Sequence, residues 1–139
     1  MVIHGPATAN YDEELDTVFL TDWSHETVDS LYTYAQVAGP PLMDTGLING
    51  KNVYNGGGSR YEAAFESGKK YRIRLINGAI DTHFKFSIDN HNFTVIANDF
   101  VPIVPFTTNV IDITMGKWKI RSTCTSCSDI AQASATTSS

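Results

Sequence analysis

The sequence predicts an all-β sandwich carrying one short helix, and three observations lead there. Three runs alternate between apolar and polar residues. Tyr71, Ile73 and Leu75 alternate with Arg72 and Arg74; Phe84, Phe86 and Ile88 with Lys85 and Ser87; Phe93, Val95 and Ala97 with Thr94, Ile96 and Asn98. A period of two sends neighbouring side chains to opposite sheet faces, so each run is expected to bury one face and wet the other, with Arg72 and Arg74 on the wet side. The runs are also short and rich in β-branched and aromatic residues, which disfavours a helix. Turn residues separate them, with Asp89-Asn90 between the second and third runs.

Taken in order, Val2-Ile3-His4 reads as a strand end stopped by Gly5-Pro6, and Asn10 to Glu14 as a solvated acidic turn. Thr17 to Trp23 is a strand. Ser24 can cap a helix whose apolar positions, Val28, Leu31, Tyr32, Ala35 and Val37, recur at helical spacing. Gly39-Pro40-Pro41 ends it, because proline cannot continue the hydrogen-bond ladder. Leu47 to Lys51 is a short strand with a turn, Asn55 to Ser59 a flexible loop, Tyr61 to Phe65 a strand, and Ser67 to Lys70 a connection into the alternating runs. Val101-Pro102-Ile103-Val104-Pro105 is extended, since each proline biases its predecessor toward β geometry. Thr107 to Thr114 is a further strand. Lys117 to Arg121 is a basic patch, and Ser122 to Ser139 is a Ser-, Thr- and Ala-rich tail with too few apolar anchors to offset its ordering entropy.

Length and charge narrow the function classes. The 139 residues suit one domain, and 42% hydrophobic residues suit a globular core. A net charge of −5 offers no basic footprint for nucleic acid. No apolar run approaches the roughly 18 residues of a membrane helix. The segment Met1 to Pro6 lacks the basic start and apolar middle of a signal peptide.

Few residues carry an obvious chemistry. His4, His25, His83 and His91 are isolated, with no His-x-His or His-Cys-His pair, so the sequence assigns no metal ligand and no catalytic residue. Cys124-Thr125-Ser126-Cys127 lacks the four-ligand set of a zinc site and the βαβ setting of a redox pair, which leaves two tail thiols whose pairing stays open. Asn92-Phe93-Thr94 is a glycosylation sequon just after a turn. Asp81 stands in a loop before the Phe84 run, where a carboxylate is ordinarily solvated. Asp12, Glu13, Glu14 and Asp16 read as a solvated charge run. Gly56-Gly57-Gly58 is no phosphate loop, because no Lys-Ser/Thr follows.

Six blocks in order carry a resemblance: Ile3-His4-Gly5-Pro6, Phe19-Leu20-Thr21-Asp22-Trp23, Leu47-Ile48-Asn49-Gly50, Tyr71 to Asn77, Phe86 to His91, and Ala97 to Pro102. From Val2 to Gly116 the chain resembles the second, middle domain of a fungal laccase-type multicopper oxidase. The resemblance implies a cupredoxin-like Greek-key sandwich of plastocyanin type. It implies a full enzyme that oxidises phenols one electron at a time and reduces dioxygen to water with four coppers. The copper ligands would lie in the first and third cupredoxin domains, which would be this domain's partners, and this chain would hold no copper itself. It also implies that Asp81 matches an acidic residue that accepts a hydrogen bond from the phenol, a role that suits a base because phenol oxidation releases a proton. The full-length family is extracellular.

The pattern breaks after Met115-Gly116, where the family continues with further strands. The expectation is therefore an incomplete domain over 1–116, missing its last strands, with a disordered tail over 117–139. Such a fragment would be inactive alone. A different reading is a non-catalytic binding or assembly module that pairs through an open sheet edge. An autonomous metal enzyme is opposed by the missing ligands.

Overall fold

Twelve strands and one helix occupy residues 7–122 and 130–137, which the computed structural model describes, with backbone alone at 118–122, 130–134 and 137. In chain order they are β1 (Glu13–Trp23), α1 (Val28–Ala38), β2 (Thr45–Ile48), β3 (Val53–Tyr54), β4 (Gly57–Gly58), β5 (Glu62–Ala64) and β6 (Tyr71–Asn77). There follow β7 (Phe84–Ile88), β8 (Phe93–Asn98), β9 (Val101–Thr108), β10 (Ile111–Ile113), β11 (Trp118–Ser122) and β12 (Ile130–Thr137). One sheet runs β2-β1-β6-β11-β8-β9 and the other β10-β7-β12-β5, while β3 and β4 form a separate ribbon. Among the described strands only β1 and β6 pair in parallel, with Val18 beside Leu75 and Leu20 beside Asn77.

The alternation seen in the sequence builds the core between the two sheets. Val18, Leu20, Ile73 and Leu75 from the first sheet meet Phe84, Phe86, Ile88, Ile111 and Ile113 from the second, all buried. Phe93 on β8 joins them, its ring 6.0 Å from that of Phe86. Burying one such side chain stabilises by about 1.5–3 kcal/mol, so this set outweighs any surface contact in the molecule. Asn90, at φ 59°, makes the tight turn between β7 and β8 that Asp89-Asn90 announced.

Several features differ from the sequence reading. Arg72 and Arg74 are only 3% and 5% exposed, because residues 8–14 fold across the outer face of β6. Glu14 sits beside Arg72 in register; both its oxygens accept from Arg74 at 3.1 Å, and it lies 3.5 Å from Arg72 Nη1. The Arg72 guanidinium also lies over the Tyr11 ring, 5.2 Å from its centroid. Guanidinium groups leave water only when paired in this way. The acidic run is accordingly a clamp and not a solvated turn. Asp12 accepts from the Lys70 amide at 2.7 Å, and Glu13 pairs with Lys69.

The second difference follows Gly116. β11 pairs with both β6 and β8, and β12 with both β7 and β5, where a tail was expected. Each of those neighbours would otherwise leave a row of backbone N–H and C=O groups unmet, and pairing them does not depend on apolar content. Trp118-Lys119-Ile120-Arg121, read as a basic patch, also alternates apolar with polar. Cys124, Cys127 and the rest of 123–129 lie outside the described residues, as does His4.

Third, Thr27 caps the helix, its hydroxyl accepting from the Ser30 amide, while the Ser24 hydroxyl donates to Asp44. The helix buries no residue, and Val28 and Val37 are 80% and 89% exposed. Fourth, Asn55-Gly56, at φ 47° and 77°, closes a two-residue hairpin between β3 and β4 where a flexible loop was expected. That dipeptide is a strong hairpin signal, because both positions need a left-handed backbone. The expected strand Thr107–Thr114 likewise divides at Asn109-Val110 into β9 and β10.

Gly46 on β2 shows how closely the sheets meet. A β-carbon there would stand 2.4 Å from the ring of Phe84, which is fully buried and cannot swing aside. Gly46→Ala is expected to lower stability by about 1–3 kcal/mol through overpacking, read as a lower urea midpoint at unchanged slope. An unchanged midpoint would show that the Phe84 pocket can expand.

Candidate functional site

The loop from Gly78 to His83 joins β6 to β7, and it carries the one acidic residue that the sequence singled out. Its conformation is set from both ends by side chains that precede it. Asn77, the last residue of β6, is buried. Its Nδ2 donates to the Thr82 carbonyl at 2.9 Å and to the Ile113 carbonyl at 3.0 Å, and its Oδ1 accepts from the Ala79 amide at 2.9 Å. The backbone of Asn77 donates to Lys117 and accepts from Gly116. A buried carboxamide is tolerated where both ends are met in this way.

The other anchor comes from the end of β1. The Gly78 amide donates to the Leu20 carbonyl at 2.8 Å. Two residues along, the Asp22 carboxylate accepts from the Ile80 amide at 3.0 and 3.1 Å, from the Asp81 amide at 3.1 Å and from the Thr82 hydroxyl at 3.2 Å. Partial burial pushes the Asp22 carboxyl up. The Asp81 and Ile80 amides and the Thr82 hydroxyl outweigh that and hold it below the usual carboxylate range, so it is an anion at neutral pH. The Phe19 ring lies directly against Gly78, where a β-carbon would come within 2.3 Å of it.

This scaffold presents Ile80 and Asp81 outward. Ile80 is 79% exposed, Asp81 is exposed, and the Asp81 carboxylate has no hydrogen bond or ion pair among the described residues. It is therefore free to accept a bond from a ligand. Asp22 was not singled out from the sequence as a functional residue. The signal was there only in its block, Phe19-Leu20-Thr21-Asp22-Trp23, and not in any local spacing to Asp81.

The remaining candidates stand apart from the loop. Asn92 is exposed at the turn entering β8, with Phe93 beside it buried. His25 stacks on Tyr54 at 3.8 Å, and its backbone amide donates to Asp44. His91 is buried against Phe65, with Nδ1–H donating to the Asp89 carbonyl. His83 lies 3.9 Å from Asp112. Each imidazole has a different neighbourhood, and no three His, Cys, Asp or Glu side chains converge among the described residues. That donor set does not fit a copper centre, which needs convergent imidazole or thiolate groups.

Residues 14–118 match the family model for multicopper oxidases. Laccase-1 of Botryotinia fuckeliana is 52% identical over 117 residues, covering 84% of this chain and 21% of that protein. Oxidoreductase OpS5 of Beauveria bassiana is 52% identical over 128 residues, covering 84% of this chain and 22% of its own length. The crystal structure of the Botrytis aclada laccase superposes with a TM-score of 0.84 at 44% identity, over 91% of this chain and 25% of that one. The chain thus spans about a fifth of the length of the curated relatives it matches.

The Asn77 carboxamide generates a direct test of this scaffold. Asn77→Ala strips partners from the Ala79 amide and from the Thr82 and Ile113 carbonyls, inside the protein where water cannot replace them. The expected loss is about 2–4 kcal/mol by urea unfolding. A loss near zero would mean that the loop holds itself.

Proposed function

The chain belongs to the multicopper oxidase family, and we propose that it is the middle cupredoxin-like domain of a laccase-type enzyme, supplying scaffold and part of the substrate site rather than the copper ligands. The observation that carries this is the loop at 78–83, a rigidly anchored strand connection whose one free carboxylate faces outward. In this reading first and third cupredoxin domains are its partners and bring the coppers to it. The substrate is a phenol whose hydroxyl donates to Asp81. When bound in the partner domains, copper supplies the electron acceptor, and Asp81 takes up the proton that phenol oxidation releases. In this reading the chain alone is inactive.

The reading of a non-catalytic module that adds strands at an open edge draws less support. β9, at one edge of the larger sheet, carries Pro102 and Pro105, which offer no N–H to an incoming strand.

Two outcomes check the proposal. In a laccase relative whose segment matching 14–118 is exchanged for this one, Asp81→Asn keeps the shape of the side chain and removes its basicity. Turnover of phenols should fall roughly 10- to 1000-fold, and oxidation of a substrate that releases no proton should hardly change. Equal losses on both substrates, or none, would reduce Asp81 to an ordinary loop residue. The exposed Asn92 is proposed as an N-glycan acceptor when the chain passes through a secretory pathway. Treatment with an N-glycosidase should lower the mass and convert Asn92 to Asp, and an unmodified Asn92 in secreted protein would overturn it.

A further inference from the structure

Asp22 accepts four hydrogen bonds from the candidate loop, against two that Asn77 makes with it, and the two side chains act differently. Asn77 ties down the ends of the loop, at Ala79 and Thr82. Asp22 grips its middle, and what it grips is the backbone of the proposed base. The Ile80 and Asp81 amides are consecutive and both point at one carboxylate, and the Thr82 hydroxyl closes on the same oxygen that accepts from Asp81. Two successive amides aimed at one anion leave the peptide plane between residues 80 and 81 little freedom to rotate. The Asp81 side chain takes no part in these bonds and is exposed to solvent. Charge-assisted bonds of this kind are about twice as strong as neutral ones. β1 itself is held on one side by β2, with Asp22 opposite Gly46, and on the other by β6, so the anion is mounted on a rigid strand.

We propose that Asp22 is a positioning residue for Asp81, holding the loop so that the Asp81 carboxylate faces the substrate, while Asp22 itself stays bonded to the loop backbone. This rests on the reading of Asp81 as the proton acceptor. The gain is geometric. A base must sit within hydrogen-bond reach of the proton it takes, and a loop free to rotate about residues 80–81 would satisfy that only part of the time.

The test separates the hold on the loop from its use in turnover. In the 139-residue chain, Asp22→Asn should raise amide exchange at Ile80 and Asp81 roughly tenfold, as expected for weakening charge-assisted bonds, and leave Leu75 and Phe86 protected. Asp22→Glu, which keeps the charge and displaces the oxygens, should do the same. If either variant is too unstable to examine, Thr82→Val removes one of the bonds at unchanged charge and should speed exchange at Asp81. Unchanged exchange at both amides in these variants overturns the proposal.

In the exchanged laccase, Asp22→Asn should lower kcat on phenols and spare substrates that release no proton. The double variant Asp22→Asn/Asp81→Asn should be no slower than Asp81→Asn alone, because the first residue acts only through the second. Losses that multiply in the double variant overturn it as well. If Asp81→Asn shows no phenol selectivity while exchange at Ile80 and Asp81 still rises in Asp22→Asn, the reading of Asp81 fails and the grip of Asp22 on the loop stands.

Discussion

The Asn77 side chain is the joint on which the rest of the molecule turns. It sits where β6 stops pairing with β1, and its amide replaces the ladder that ends there. One bond crosses to Ile113 on β10, which belongs to the opposite sheet, and two fix the loop between β6 and β7. A single carboxamide therefore ties together both layers of the sandwich and the segment that presents Asp81. The site is exposed, yet Asn77 beneath it is buried and Asp22 beside it half-buried, which is how a loop can be both accessible and well defined.

A second set of polar contacts fixes the register of β6 against β1. Glu14, Arg72 and Arg74 all lie on the outer face, and they are enclosed there by the segment that carries Tyr11. A one-residue slip of β1 would carry Glu14 to the apolar side and leave two buried guanidinium groups without their carboxylate. Such an uncompensated charge costs several kcal/mol. The cluster contributes less to net stability than the phenylalanines do, and more to the choice of one alignment over its neighbours. That alignment places Asp22 level with the loop it grips.

Much of this architecture could be read from the chain, and the places where it could not share one cause. The strands of the core and the Asp89-Asn90 turn followed from periodicity and turn chemistry, because both are local. Burial of Arg72 and Arg74 depends on residues 8–14, some 60 positions away, folding over them, and no window of sequence contains both. The same holds for Asp22, whose partners at 80–82 are remote in sequence. β11 and β12 were missed for a related reason. Their pairing is demanded by the unmet backbone of neighbouring strands, and not by the apolar content of their own residues. The exposed apolar face of α1 was legible as helical spacing, but spacing alone does not say whether that face is covered.

The parallel pairing of β1 with β6 also bears on how the chain comes together. Val18 must wait for Leu75, and β6 in turn has no second neighbour until Lys119 and its surroundings exist. On a ribosome, which releases the chain from its N-terminus, β1 and its neighbour β2 emerge well before β6 is made. The hairpin of β8 with β9 can close almost at once, so the interior begins to form in the second half of the sequence. The first strand is then drawn in after a long loop closes, a slow step compared with local pairing. Until then Val18 and Leu20 lack the second sheet that covers them in the finished fold, and the acidic residues before them, Glu13, Glu14 and Asp16, are charges of the kind that disfavour association of such a segment with its own kind.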